Sequence, residues 1–175
     1  MKVKEEKVDN KVNKLKIEDY VLKKAQEINK FMNTIELSEM KLGVDISQGK
    51  KLRGALTILV SEALDGDKLK ALEFASAVEL IHLGSILHDN ILDEHTERRG
   101  IIPLNMLKGT KFAVLSGDRM FSFATSIASK RGNKEAAEVG EAMESVLSGA
   151  MKELSIDEFF KDVISGDVSS KFYYN

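Results

Sequence analysis

Glu79, His82, Ser85, Asp89 and Asp93 interrupt a stretch whose other residues are mostly apolar. A helix turning about 100° per residue gathers these five within roughly 120° of its surface. Burying an unpaired carboxylate is costly, and two carboxylates at i and i+4 also repel each other. Something positive must therefore compensate Asp89 and Asp93. One candidate is the arginine pair just beyond them, Arg98 and Arg99. The other is a divalent cation, because carboxylates one turn apart suit Mg2+, which takes one or two of them plus substrate phosphates. Spacing alone leaves both open. His82 shares the arc of Asp89 and reads equally as a core histidine or a ligand-side group. Lys50 and Arg53 open another helical stretch, either as plain surface charge or as cations added to a phosphate-binding helix N-terminus.

The helix that carries these residues spans about 67 to 94 and is apolar over most of its circumference, so it belongs inside a bundle. The rest of the chain agrees with an all-α fold. It has 175 residues, one proline, and long runs of Ala, Leu, Glu, Lys and Met, the better helix formers. Residues 1–17 hold six lysines and three acids, which reads as a flexible basic arm. Residues 18–175 then form a single helical domain. Its helices are expected at about 18–33, from a turn at Gln48–Gly49 to Leu64, at 67–94, 111–130, 134–152 and 155–164. Arg98 to Pro103 is a breaker-containing loop, and Phe172, Tyr173 and Tyr174 end the sequence.

Composition removes several classes of function. Lys plus Arg is 26 and Asp plus Glu 28, a net charge of -2, which argues against a protein held to nucleic acid by a basic field. Cysteine is absent, so disulfides, thiolate zinc sites and cysteine nucleophiles are excluded. The first residues hold no apolar core of a secretion signal, and no 18-residue apolar run occurs. The expected compartment is the cytoplasm, without a transmembrane segment.

Three blocks together resemble the trans-type polyprenyl (isoprenyl) diphosphate synthases. AVELIHLGSILHDNILDEHTERRG is similar to that family's first aspartate-rich block, a helix ending in HDDxxD with a paired arginine and glycine after it. QGKKLRG is similar to GGKRxRP, and AVLSGDRMFSFA to AVLxGDxLxxxA. The resemblance implies an isoprenoid-synthase helical bundle, here its N-terminal half. It implies that Asp89 and Asp93 hold Mg2+ against an allylic prenyl diphosphate, which Arg98 also contacts. Lys50, Arg53, His82 and Arg99 match contacts to the diphosphate of isopentenyl diphosphate. Gly84 and Ser85 match the positions that floor the product cavity, and their small size implies tolerance of a long product.

The departures are specific. Asn90 stands in place of the second aspartate and is expected to weaken Mg2+ binding. Gln48, Lys51 and Gly54 replace a glycine, an arginine and a proline. No second aspartate-rich motif follows Asp118. The leading expectation is therefore a prenyltransferase subunit that needs a second chain carrying that motif. The alternatives are a non-catalytic regulatory subunit setting product length on a complete synthase, a homo-oligomer that binds prenyl diphosphates without transferring them, and a fragment of an ordinary synthase.

Overall fold

The computed structural model describes the backbone of residues 2–34, 45, 47 and 49–165, and side-chain surroundings over 16–33, 45, 47 and 49–156. Gln48 and the aromatic end at Phe172, Tyr173 and Tyr174 lie outside the described residues. The described residues form six helices: α1 (Lys2–Thr34), α2 (Leu52–Ala63), α3 (Lys68–Leu92), α4 (Leu104–Lys108), α5 (Thr110–Ser129) and α6 (Asn133–Ser165). They contain no strand, only an isolated bridge between Arg98 and Ile101. Among them no helix is long and apolar enough to cross a membrane.

Two compact units result, residues 1–136 and 137–175. The first contains α1 to α5, and α3 is its centre, packed by α5, α2, α1 and α4. Its core is Ile28 and Met32 of α1, Ile58 of α2, Ala75 and Leu80 of α3, and Met120 and Ala124 of α5. The second unit contains most of α6. Two helices were expected there, but Ser155 turns its hydroxyl back onto the Met151 carbonyl at 2.9 Å, and the helix runs through. A serine bonded in this way is tolerated inside a helix. At the other end, helical backbone begins at Lys2, through the stretch whose composition reads as an arm. That stretch has no glycine or proline, and its lysines and glutamates are good helix formers.

Small residues set how closely the helices approach α3. A Cβ on Gly54 of α2 would meet the Ala75 carbonyl at 3.1 Å, so this crossing uses the missing side chain. At the same place the Gly54 N–H donates to the buried Glu79 carboxylate of α3 at 2.8 Å. Proline, which the family motif has there, could not make that bond. On the opposite side, Gly84 of α3 lies against the Gly117 carbonyl and the Phe121 ring of α5. Lys24 of α1, 5% exposed, donates to Glu62 of α2 at 2.5 Å and fastens the outer pair.

Both ends of α3 are capped. The Asp67 side chain accepts from Lys70 N at 2.7 Å, an N-cap bond. At the C-terminus, His95 N donates to the Asn90 carbonyl at 3.0 Å and Glu94 N to that of Ile91 at 3.2 Å. This is the Schellman pattern, with Glu94 at φ 51° where glycine is usual. The cap stops the helix at Asp93 and turns the chain back toward Arg98.

Candidate functional site

Arg98 and Ile101 exchange both backbone hydrogen bonds, at 2.9 and 3.0 Å. The residues between them, Arg99 and Gly100, have φ of 55° and 78°. Positive φ at both central positions marks a type I′ turn. Gly100 adopts it freely, whereas Arg99 carries a Cβ and is strained by about 1 kcal/mol. Such strain persists where the surroundings over-determine it, and it clusters at functional sites. Here it presents two consecutive guanidinium groups to one cavity.

That cavity has a volume of ≈ 350 Å³. Its α3 wall is His82, Ile86 and Asn90, stacked one turn apart, with Leu83 and Leu87 beside them. Arg98, Arg99, Ile101 and Ile102 come from the turn, Leu104 and Leu107 from α4, and Met120 from α5. The lining therefore combines two guanidinium groups with mostly apolar side chains. Asp45, ahead of α2, also lines the cavity and accepts from the Ser47 amide at 2.9 Å and hydroxyl at 2.5 Å. No spacing in the sequence marked it.

Asn90 has a different place from the one its motif suggests. It is 5% exposed, and its side-chain oxygen accepts from Arg98 Nη1 at 3.1 Å. The substitution therefore bears directly on Arg98. A neutral acceptor orients the guanidinium and leaves its charge free for an anion. Asp89 and Asp93 stand outside the lining, one turn apart at the end of α3, where Asp93 is the C-cap residue. Asp93 lies 3.8 Å from His95 Nδ1. No group of three or more His, Cys, Asp or Glu side chains able to hold a metal occurs among the described residues. Two adjacent carboxylates still fit a hard cation that completes its shell with water and substrate oxygens, which is how Mg2+ is held.

His82 sits among cations. Burial pushes its pKa below the ordinary histidine value, and Arg53 lowers it further, as Arg98 and Lys51 do; Glu79 opposes them. The imidazole is thus neutral at pH 7. Arg53 is near enough to act on it, although both Arg53 and Lys50 are exposed. The sign for stability follows from the direction of the shift. The unfolded chain takes up a proton near pH 6.5 that folded His82 resists, so stability falls as pH drops through that range. Between about pH 7 and about pH 5, wild-type chain should lose more urea resistance than a His82→Gln chain. Equal losses would mean that His82 titrates freely.

Gly84 and Ser85 do not line the cavity. Gly84 is buried in the α3–α5 crossing, and the Ser85 hydroxyl donates to the His82 carbonyl at 2.9 Å. Gly84 is small because α5 packs there. His88, beside Asp89, is likewise turned to α5, with Nε2 at 3.4 Å from Asp118 and its ring edge-on to Phe121.

Taken as a fold and a site, an all-helical half-bundle with this cationic cavity points to isoprenoid synthases. Residues 37–170 match the polyprenyl synthetase family, and the chain belongs to it. A short chain isoprenyl diphosphate synthase of Methanothermobacter thermautotrophicus is 40% identical over 104 residues, 59% of this chain and 31% of that protein. A decaprenyl-diphosphate synthase of Dictyostelium discoideum is 33% identical over 130 residues, 72% of this chain and 26% of that protein. Among solved structures, a geranylgeranyl pyrophosphate synthetase from Pyrococcus horikoshii superposes with a TM-score of 0.69 at 26% identity, covering 83% of this chain and 49% of its own. Another, from Geoglobus acetivorans, gives 0.68 at 26% identity, covering 79% and 50%. The chain thus spans about half the length of these structures and between a quarter and a third of these curated relatives. The fold is an incomplete isoprenoid-synthase bundle.

Proposed function

We propose that this chain is the diphosphate-binding part of a prenyl diphosphate synthase, condensing isopentenyl diphosphate with an allylic prenyl diphosphate when a second chain completes the bundle. The observation that carries the reading is the cavity, whose lining combines Arg98, Arg99 and His82 with apolar side chains. Arg98, held by Asn90, takes the allylic diphosphate; Arg99, Arg53, Lys50 and His82 take that of isopentenyl diphosphate. When the allylic C–O bond breaks, its electron pair leaves with the diphosphate. The double bond of isopentenyl diphosphate then closes on the allylic carbon, and a proton is lost from the adduct. Mg2+ bound by Asp89 and Asp93 would supply electrostatic stabilisation of the departing diphosphate. Leu83, Ile86 and Leu87 keep water from the carbocation.

A second chain is supported by what α2 leaves uncovered. Leu52, Leu56, Leu59 and Val60 are all about half exposed or more. Contiguous apolar surface of this kind marks an interaction site. The partner is expected to carry the second aspartate-rich motif. The test is affinity capture of the tagged chain from its source cells, then assay of the captured complex for condensation. Capture of a partner with the second motif, together with activity, supports the reading; a homodimer that binds diphosphates but does not condense them would end it. Asn90 favours a second reading, a regulatory subunit on a complete synthase, because the motif lacks one carboxylate.

In the active complex, Lys50→Ala and Arg53→Ala should each raise the KM for isopentenyl diphosphate about tenfold with little change in kcat, the pattern of lost uniform binding. Unchanged kinetics would remove both residues from the site.

A further inference from the structure

The start of α2 is built in an unusual way. Lys51, its N-cap residue, has φ 50° and ψ 39°, the left-handed conformation, and makes no side-chain cap bond. Lysine in that conformation is strained by about 1 kcal/mol. It is also only 3% exposed, between Lys50 and Arg53, which are both exposed. The left-handed residue thus accompanies a reversal: Lys51 turns inward where its neighbours face out. Burial lowers the pKa of the inward ammonium, and the carboxylates that oppose this are Glu79 and Asp45.

Glu79 meets the same turn a second way. It is 3% exposed on α3, and its Oε1 accepts the Gly54 N–H, one of the free amides of the first turn of α2, at 2.8 Å. One carboxylate therefore caps α2 from a neighbouring helix and, with Asp45, acts on the buried ammonium of its N-cap residue. The first interaction depends on a residue peculiar to QGKKLRG, because Gly54 provides an amide that proline lacks. One turn further along α3 is His82, on which Arg53, Lys51 and Glu79 all act.

We infer that Glu79 is a positioning residue for the isopentenyl diphosphate site, holding the left-handed start of α2, which carries Lys50 and brings Arg53 near His82. This rests on the proposed function. Glu79 itself is buried and touches no substrate. Its role is local, because the allylic side relies on Arg98, Asn90, Asp89 and Asp93, and these are held by the cap of α3 and the turn beyond it.

Locality makes the inference testable. Binding of isopentenyl diphosphate, and separately of an allylic diphosphate with Mg2+, would be measured by calorimetry on the full chain in its complex, with thermal unfolding followed by circular dichroism. Glu79→Gln keeps an acceptor for Gly54 but removes the charge acting on Lys51. It is expected to weaken isopentenyl diphosphate binding about tenfold or more, the usual effect of losing a group that orients a ligand contact. Allylic diphosphate affinity should stay within about twofold of wild type. Since Glu79→Gln removes one of the two carboxylates acting on the buried Lys51 ammonium, a Glu79→Gln, Lys51→Met chain is the second variant. Removing opposite buried charges together is often neutral for stability, so this chain should fold yet show the same selective loss. Equal loss of both ligands, or loss of neither, in a folded variant overturns the positioning role. If wild-type complex binds neither diphosphate, the proposed function fails and the inference fails with it.

Discussion

An Asp89→Ala chain in its active complex is expected to lose on the order of 10²- to 10³-fold in turnover, the range seen when one stabiliser of transition-state charge is removed. On the proposed function the diphosphate gains charge only as the C–O bond breaks, so what Asp89 would contribute is realised mainly in the transition state. The loss should therefore fall on kcat more than on KM. Asp93→Ala should cost about as much, and the double variant hardly more, because carboxylates that hold one cation act as a unit. Asp89 suits this role in the structure: it stands on the last turn of α3, and the Schellman cap brings Asp93 one turn above it. Steady-state assay with both diphosphates, at saturating Mg2+, gives the answer. Turnover that survives with only a change in product length would favour the regulatory reading.

Residue spacing singles out His82, Arg98 and Arg99, which line one cavity, and stops at a definite physical point. Periodicity assigns a residue to a face of its helix but does not say which neighbour that face meets. The 67–94 helix was legible as the centre of a bundle because it is apolar nearly all round, and α3 is packed by four other helices. The arginine pair was legible from its place after the aspartates, whereas the I′ turn that aims it depends on a strained Arg99. Asn90 shows the limit best. One position after Asp89, it reads as a damaged metal ligand; on the helix, that step of about 100° carries it to Arg98 and the cavity wall. Lys51 reads as a conservative change from arginine, and only its left-handed backbone and burial show it as an internal anchor. Asp45 belongs to no motif, and only its place in the cavity lining shows it.

Gly84 is where the two ways of reading diverge most in what they predict. By motif, a bulky residue at Gly84 floors the cavity and shortens the product. By structure, a Cβ there would meet Phe121 Cε1 at 2.8 Å and the Gly117 carbonyl at 3.1 Å. The carbonyl is helix backbone and cannot move without shifting α5. The ring has little freedom either, because the His88 imidazole stands edge-on to it at 5.3 Å. Gly84→Phe is therefore expected to force α3 and α5 apart and to destabilise the first unit by about 3 kcal/mol, at the upper end of ordinary overpacking. Against a total of roughly 5–15 kcal/mol for a domain, that is a large fraction. Urea unfolding of the Gly84→Phe chain should show a lowered midpoint with the slope retained. A Gly84→Phe chain as stable as wild type, making shorter products, would show that α5 yields and that the motif reading of this position is the correct one.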